Sequence, residues 1–209
     1  MLSTLHTDIA AVLARGNSQQ AKIPRWVRHS AQWLEQNYDF QYMRRTGDTV
    51  LSPLAESPSA VDLPNNRVKR IEVIKPYMLN GAGRSYFDEV KQVDPNDVTA
   101  INQAAFPMGW WQVGDQILFD SFGITDLPLE LTYYEYTAWP VDGNATPTLL
   151  ARYENLLFAQ SLVAAWRELK DAEAQAQWTN ERDMALRAVL NAEEASRYST
   201  SDMRMEPSW

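Results

Sequence analysis

The sequence predicts an α+β fold, with N-terminal helices and long C-terminal helices around a small central antiparallel β domain. Three observations carry that prediction. Apolar residues recur at helical spacing near both ends of the chain, strand-like runs gather between residues 49 and 136, and those runs are not interleaved with helices in a βαβ pattern. The layout predicts a single domain over residues 1–197 and a tail at 198–209.

Each element has its own signature. In the first helix, 3–15, Ser3 is a capping residue, Leu5, Ile9, Val12 and Leu13 have helical spacing, and the polar stretch 15–18 with its glycine ends it. The second, 23–43, carries Pro24 in its first turn, where a missing N–H costs nothing. Val27, Ala31, Leu34 and Tyr38 form its apolar face, flanked by Trp26 and Trp33. Lys22, Arg25, Arg28 and His29 crowd its start, where the helix dipole disfavours cations. They read either as a solvated face or as a contact for a small anion.

The pattern then changes. Residues 49–51, 60–63 and 68–74 read as extended, the last alternating imperfectly. Residues 80–83 are a turn. A short helix is expected to start near Asp94, with Val98, Ile101 and Ala105 at helical spacing. Gly114-Asp115, between 110–113 and 116–119, reads as a tight hairpin turn. Residues 127–136 alternate Leu129, Leu131 and Tyr133 against Glu130, Thr132 and Tyr134, and form the clearest strand.

From Thr146-Pro147 to Arg197 the chain has neither Gly nor Pro between, which predicts a long helical pair. On the first helix Leu149, Tyr153, Leu156, Leu157, Val163 and Ala164 lie on one side, and Phe158, Leu162, Ala165, Trp166 and Leu169 on roughly the other. One apolar stripe suffices for a surface helix, so two stripes mean burial from two directions. Either the helix is a core element of one domain, or its second stripe packs on a neighbouring subunit. Lys170-Asp171 breaks the pattern, and Asp171 can cap a second helix with a thinner stripe of Ala174, Trp178, Ala185, Val189 and Ala192.

Composition excludes several classes. A formal net charge of -8 argues against a protein that coats itself in nucleic acid. With no cysteine there is neither disulfide nor thiolate chemistry, which fits synthesis in the cytoplasm. No apolar run reaches membrane-spanning length, and the first ten residues lack the basic start and apolar core of a signal peptide. His6 and His29 have no partner at metal-ligand spacing, and GxSxG and GxxxxGK[ST] are absent. Gly81-Ala82-Gly83 lacks the third glycine of a dinucleotide fingerprint. Glu130 and Glu135 are separated by an odd number along one strand and point to opposite faces, which suits surface charges better than an acid/base pair. Asp88-Glu89, Asp94 and Asp97 read as turn formers before they read as cation ligands. The expectation is no enzyme, no catalytic residue, no metal and no cofactor.

Four runs together resemble a known family. They are IPRWVRHSAQWLEQNYDFQYM at 23–43, VDLPNNRVKRIEV at 61–73, LELTYYEY at 129–136, and a long helix with Tyr153, Leu156, Leu162 and Ala165 before Leu169-Lys170-Asp171 and a closing helix from Trp178. Their order and spacing, over roughly 23–197, resemble the head-to-tail adaptor (neck) proteins of short-tailed bacteriophages. The resemblance implies a homo-oligomeric ring, commonly of twelve subunits, beneath the portal protein at the head–tail junction of the virion, assembled in the host cytoplasm. Such a ring extends the DNA channel, lets genomic DNA pass without sequence-specific binding, and docks a tail protein (nozzle or tube), with no membrane contact. It makes Phe158, Leu162, Trp166, Leu169, Trp178, Met203, Met205 and Trp209 the candidate residues for contacts with neighbouring subunits or the portal. The competing expectation is a β-domain that binds a glycan or peptide through exposed Trp110, Trp111, Tyr134 and Tyr136.

Overall fold

A computed structural model describes residues 2–14, 17–52, 59–81, 83–98, 106–121, 126–140 and 146–199. Met203, Met205 and Trp209 lie outside these residues, as does the 99–105 part of the helix expected after Asp94. Where the sequence suggests one domain, the contacts divide the chain into two compact units. One is built from both ends, Met1–Tyr42 with Thr137–Trp209, and the other is the insertion Met43–Tyr136.

The first unit is helical: α1 (Leu2–Leu13), α2 (Asn17–Gln20), α3 (Ile23–Asn37), α4 (Thr148–Leu169) and α5 (Ala172–Ser199). Leu5, Ile9 and Leu13 of α1 are buried as a row four residues apart, and Val12 falls off that row and is exposed. Helix α3 holds Pro24 in its first turn and buries Trp26, Val27, Ala31 and Leu34. It stops at Asn37, well short of the expected residue 43, because Tyr38 turns extended (φ -131, ψ 148) and Gln41–Met43 form a separate 3-10 turn. The cause is a ring cluster. Phe40 stacks on Tyr42 with centroids 5.7 Å apart and meets Tyr153 at 5.5 Å, and Tyr38 lies 6.2 Å from Phe40. Residues two apart on a helix point in nearly opposite directions, so Tyr38, Phe40 and Tyr42 share one cluster only if the chain is extended.

Helix α4 packs against α5, α3 and α1. Its N-cap is Pro147 and not Thr146, and the helix starts at Thr148. Nor is it continuous, since Tyr153 leaves the helical region (φ -137, ψ 52). No Gly or Pro lies within Thr148–Leu169, and contacts from outside the helix account for the kink. The Tyr153 ring is held against Phe40 and Tyr42, and its hydroxyl donates to Glu193 Oε1. At the other end Lys170 takes the left-handed conformation (φ 59, ψ 33), with its N–H directed to the carbonyls of Arg167 and Trp166. The Asp171 carboxylate then accepts the Ala174 N–H at 3.1 Å and caps α5, as its position in the sequence predicts.

The insertion is a β unit. One sheet has the order β1-β8-β3-β4, with β1 (Arg44–Leu51), β3 (Val68–Asn80), β4 (Gly83–Tyr86) and β8 (Leu127–Glu135), all antiparallel. The other has the order β2-β7-β6-β5, with β2 (Ala60–Asp62), β5 (Lys91–Gln92), β6 (Gly109–Val113) and β7 (Gln116–Phe119). In it the short pair β5–β6 is parallel, the exception to an otherwise antiparallel arrangement. The sheets share one core that includes Leu51, Ile74, Trp110, Phe119, Leu129 and Leu131. The imperfect alternation of 68–74 has a structural cause: the β3–β8 register shifts between Val68 and Arg70 and again between Ile71 and Val73. The hairpin at Gly114-Asp115 forms, with Val113 opposite Gln116 and Gly114 at φ +59, where a side chain would be strained. The expected helix after Asp94 does not begin in the described part of that segment. Asp94 closes a turn instead, its Oδ1 accepting the Asn96 N–H at 2.8 Å.

Candidate functional site

The candidate contact residues on α4 are mostly covered within the chain itself. Leu162 is 0% exposed, and Trp166 is buried at 9%. Phe158 is half-buried and meets the half-buried Trp178 edge-on at 5.6 Å, and Leu169 is also half-buried. The stripe expected to await a neighbour is therefore largely satisfied between α4 and its own partners. The long helix that does leave surface free is α5. Over 28 residues its only buried side chains among those described are Leu186 and Glu193, while Met184 and Leu190 are exposed.

The aromatics of the competing reading have gone inward. Trp110, Trp111 and Tyr134 are buried, and Tyr136 is half-buried. The exposed patch expected at these four residues is therefore not formed. Exposed apolar groups of the β unit lie elsewhere and include Met78 and Leu79 near the tip of the β3–β4 hairpin, the aromatics Tyr86 and Phe87, and Met108 before β6. Arg84 of β4 is fixed beside that tip by a bidentate pair with Asp48 (2.7 and 2.8 Å) and by Glu130 at 3.0 Å.

Two buried carboxylates in the helical unit, Glu35 and Glu193, are marked in the sequence only indirectly. Glu35, on α3, accepts the Tyr42 hydroxyl at 2.8 Å, the Thr137 N–H at 3.2 Å and the Thr137 hydroxyl. Tyr42 and Thr137 are the residues at which the chain leaves and re-enters this unit. Glu35 thus ties together, within the helical unit, the two residues that flank the insertion. Glu193 does a parallel job on α5, accepting the Gln41 N–H at 2.9 Å and the Tyr153 hydroxyl. Burial, followed by the adjoining carboxylates, pushes the phenols of Tyr42 and Tyr153 far above their usual range, so both remain donors. A glutamate on a helix face otherwise reads as solvated. The signal that was there is the Tyr-x-Phe-x-Tyr alternation at 38–42, which marks an extended buried segment whose backbone needs partners.

A groove of about 580 Å³ lies between α3 and the C-terminal part of α4. Trp26, Ser30, Trp33, Gln160 and Ala164 are among the residues that line it. Its rim is basic. Among the cations crowding the start of α3, Lys22 and Arg25 both pair with Glu168 of α4, Lys22 at 3.0 Å, and the Trp26 indole N–H donates to the same carboxylate at 2.7 Å. Those bonds, the Trp26 one foremost, pull the Glu168 carboxyl down to about 2. Its folded-state value is below the unfolded one, so the stabilisation is complete above about pH 4.5 and is lost as pH falls toward about 2. The stability gap between wild type and Glu168→Gln is expected to be under about 1 kcal/mol, because the site is open to water. It should be widest near neutrality and close on acidification. Urea unfolding of both proteins across that range tests this, and a gap that widens at low pH would contradict it.

No group of His, Cys, Asp and Glu suited to a metal ion occurs among the described residues, and no helix among them is long and apolar enough to cross a membrane. Compared with protein-family models and with curated proteins, the chain finds no match.

Proposed function

We propose that this chain is a structural, non-enzymatic adaptor of a tailed bacteriophage. It joins the portal to the tail as a homo-oligomeric ring, of twelve copies as the family resemblance implies. In this reading it sits at the head–tail junction of the virion after assembly in the host cytoplasm, and genomic DNA passes through without sequence-specific binding. The observation that carries the reading is the order of parts. A helical unit drawn from both ends of the chain carries a β unit as an insertion between α3 and α4 and is completed by the long pair α4–α5. That is also the order of the four runs on which the resemblance rests. Three surfaces give the proposal contact faces to use: the sparsely covered α5, the exposed Met78 and Leu79 of the β3–β4 hairpin, and the basic groove between α3 and α4.

Light scattering on the purified chain, alone and mixed with the portal protein, tests it. The expected result is a small species that becomes a large assembly on the portal. A chain that stays monomeric and never enters a portal complex would end the adaptor reading.

A further inference from the structure

The basic groove stands against the charge of the rest of the molecule. On a chain of net charge -8, Arg25, Arg167 and Lys170 line it with Glu168 as the one carboxylate, Lys22 reaches it by pairing with Glu168, and Arg28 lines the cleft adjoining it beside Arg25 and His29. Glu168 is already engaged by Lys22 and Arg25, and among the described residues no carboxylate forms an ion pair with Arg28, Arg167 or Lys170. Beside the charge the groove offers an apolar lining at the half-buried Trp33 and Ala164. Its volume of about 580 Å³ suits a short stretch of chain.

The same sequence carries a matching acidic segment. Asp88, Glu89, Asp94 and Asp97 fall within ten residues and are all exposed, with Lys91 as the only cation among them. Phe87, immediately before Asp88, is held against Phe106 with ring centroids 4.6 Å apart, and β5 lies within the segment, so the acids are presented from an ordered backbone. Among the described residues none of the four takes part in an ion pair. Asp94 is spent in part on its own turn, which leaves Asp88, Glu89 and Asp97 as the outward charges.

We infer that the basic groove between α3 and α4 is a docking site for the acidic segment 88–97 of a second copy of this chain. The two surfaces differ from one another, so the contact is heterologous: each copy offers a groove to one neighbour and an acidic segment to the next. A contact of that type propagates and closes into a ring when the rotation permits. The inference rests on the ring reading proposed above and names the faces that would make it. Charges of this kind set partner choice and register more than affinity.

The test mixes isotopically labelled and unlabelled chain, assembled with or without portal, and treats it with a carbodiimide that joins amines to carboxylates in contact. The expected product is an amide between copies, linking Lys22 or Lys170 of one to Asp88, Glu89 or Asp97 of another. Two charge-reversed proteins complete it, R28E/R167E and D88K/E89K, both checked for native circular dichroism. Each alone is expected to associate at least about tenfold more weakly, because like charges now face one another across the contact, and an equal mixture of the two is expected to recover assembly. Assembly that neither variant weakens would overturn the inference and leave the ring reading standing on another face. Links found only within one copy would overturn it too. A chain that remains monomeric under every condition would remove the ring reading itself, and this inference with it.

Discussion

Trp166→Ala is expected to destabilise the folded chain by about 3–5 kcal/mol, the range for deleting a large aromatic from a packed site. Trp166 is 9% exposed and sits one turn before the end of α4, where its carbonyl accepts the Asp171 N–H at 3.1 Å. Its neighbours along the helix, Leu162 and Ala165, are 0% exposed. Removing the indole leaves a void among groups that the close of the helix holds in place, so little collapse can refill it. Urea unfolding of the monomer reads the loss directly. The alternative from the sequence, that this stripe faces a neighbouring subunit, makes the opposite demand: monomer stability unchanged and assembly abolished. That result would mean the stripe is completed between chains and not within one.

The ambiguity over that stripe shows where the sequence stops being informative. Period and composition place α1, the body of α3, the α4–α5 pair, β8 and the Gly114-Asp115 hairpin, because each is decided by local spacing or by one residue's backbone preference. The Asp171 cap is of the same kind. What the sequence leaves undecided is which apolar face meets which surface, since α5 and a neighbour's helix would present the same chemistry to Leu162 and Trp166. The features it misses are tertiary. Tyr153 breaks α4 without a helix breaker, because Phe40, Tyr42 and Glu193 hold it from outside the helix. β1 starts at Arg44 although most of its residues are exposed, because its hydrogen bonding to β8 defines it and not an apolar pattern. β3 runs through Pro76, which lies opposite Leu129 and whose carbonyl accepts the Phe87 N–H at 2.9 Å. The candidate site divides the same way. The basic start of α3 is visible as a cluster, but its meaning depends on α4 supplying Glu168, Arg167 and Lys170 from more than a hundred residues away in the chain.

Phe119→Ala should cost a similar amount, roughly 3–5 kcal/mol, and its consequences should stay within one part of the chain. Phe119 is 0% exposed and ends β7, paired with Trp110 across the hairpin, in the core shared by both sheets. Its N–H donates to the Ser59 carbonyl at 2.9 Å, so the backbone there cannot move freely to fill the space. If the insertion Met43–Tyr136 is a cooperative unit of its own, amide exchange in β6, β7 and β8 should accelerate by roughly a hundredfold or more. Exchange in α3 and α4 should hardly change, because their buried rows and the carboxylate ties at Glu35 and Glu193 all lie outside the insertion. Hydrogen exchange read by mass spectrometry, segment by segment, separates the outcomes. Equal acceleration in α4 and β7 would mean that the two units unfold as one body. Loss confined to the strands would mean that the helical unit keeps its fold while the inserted sheets open.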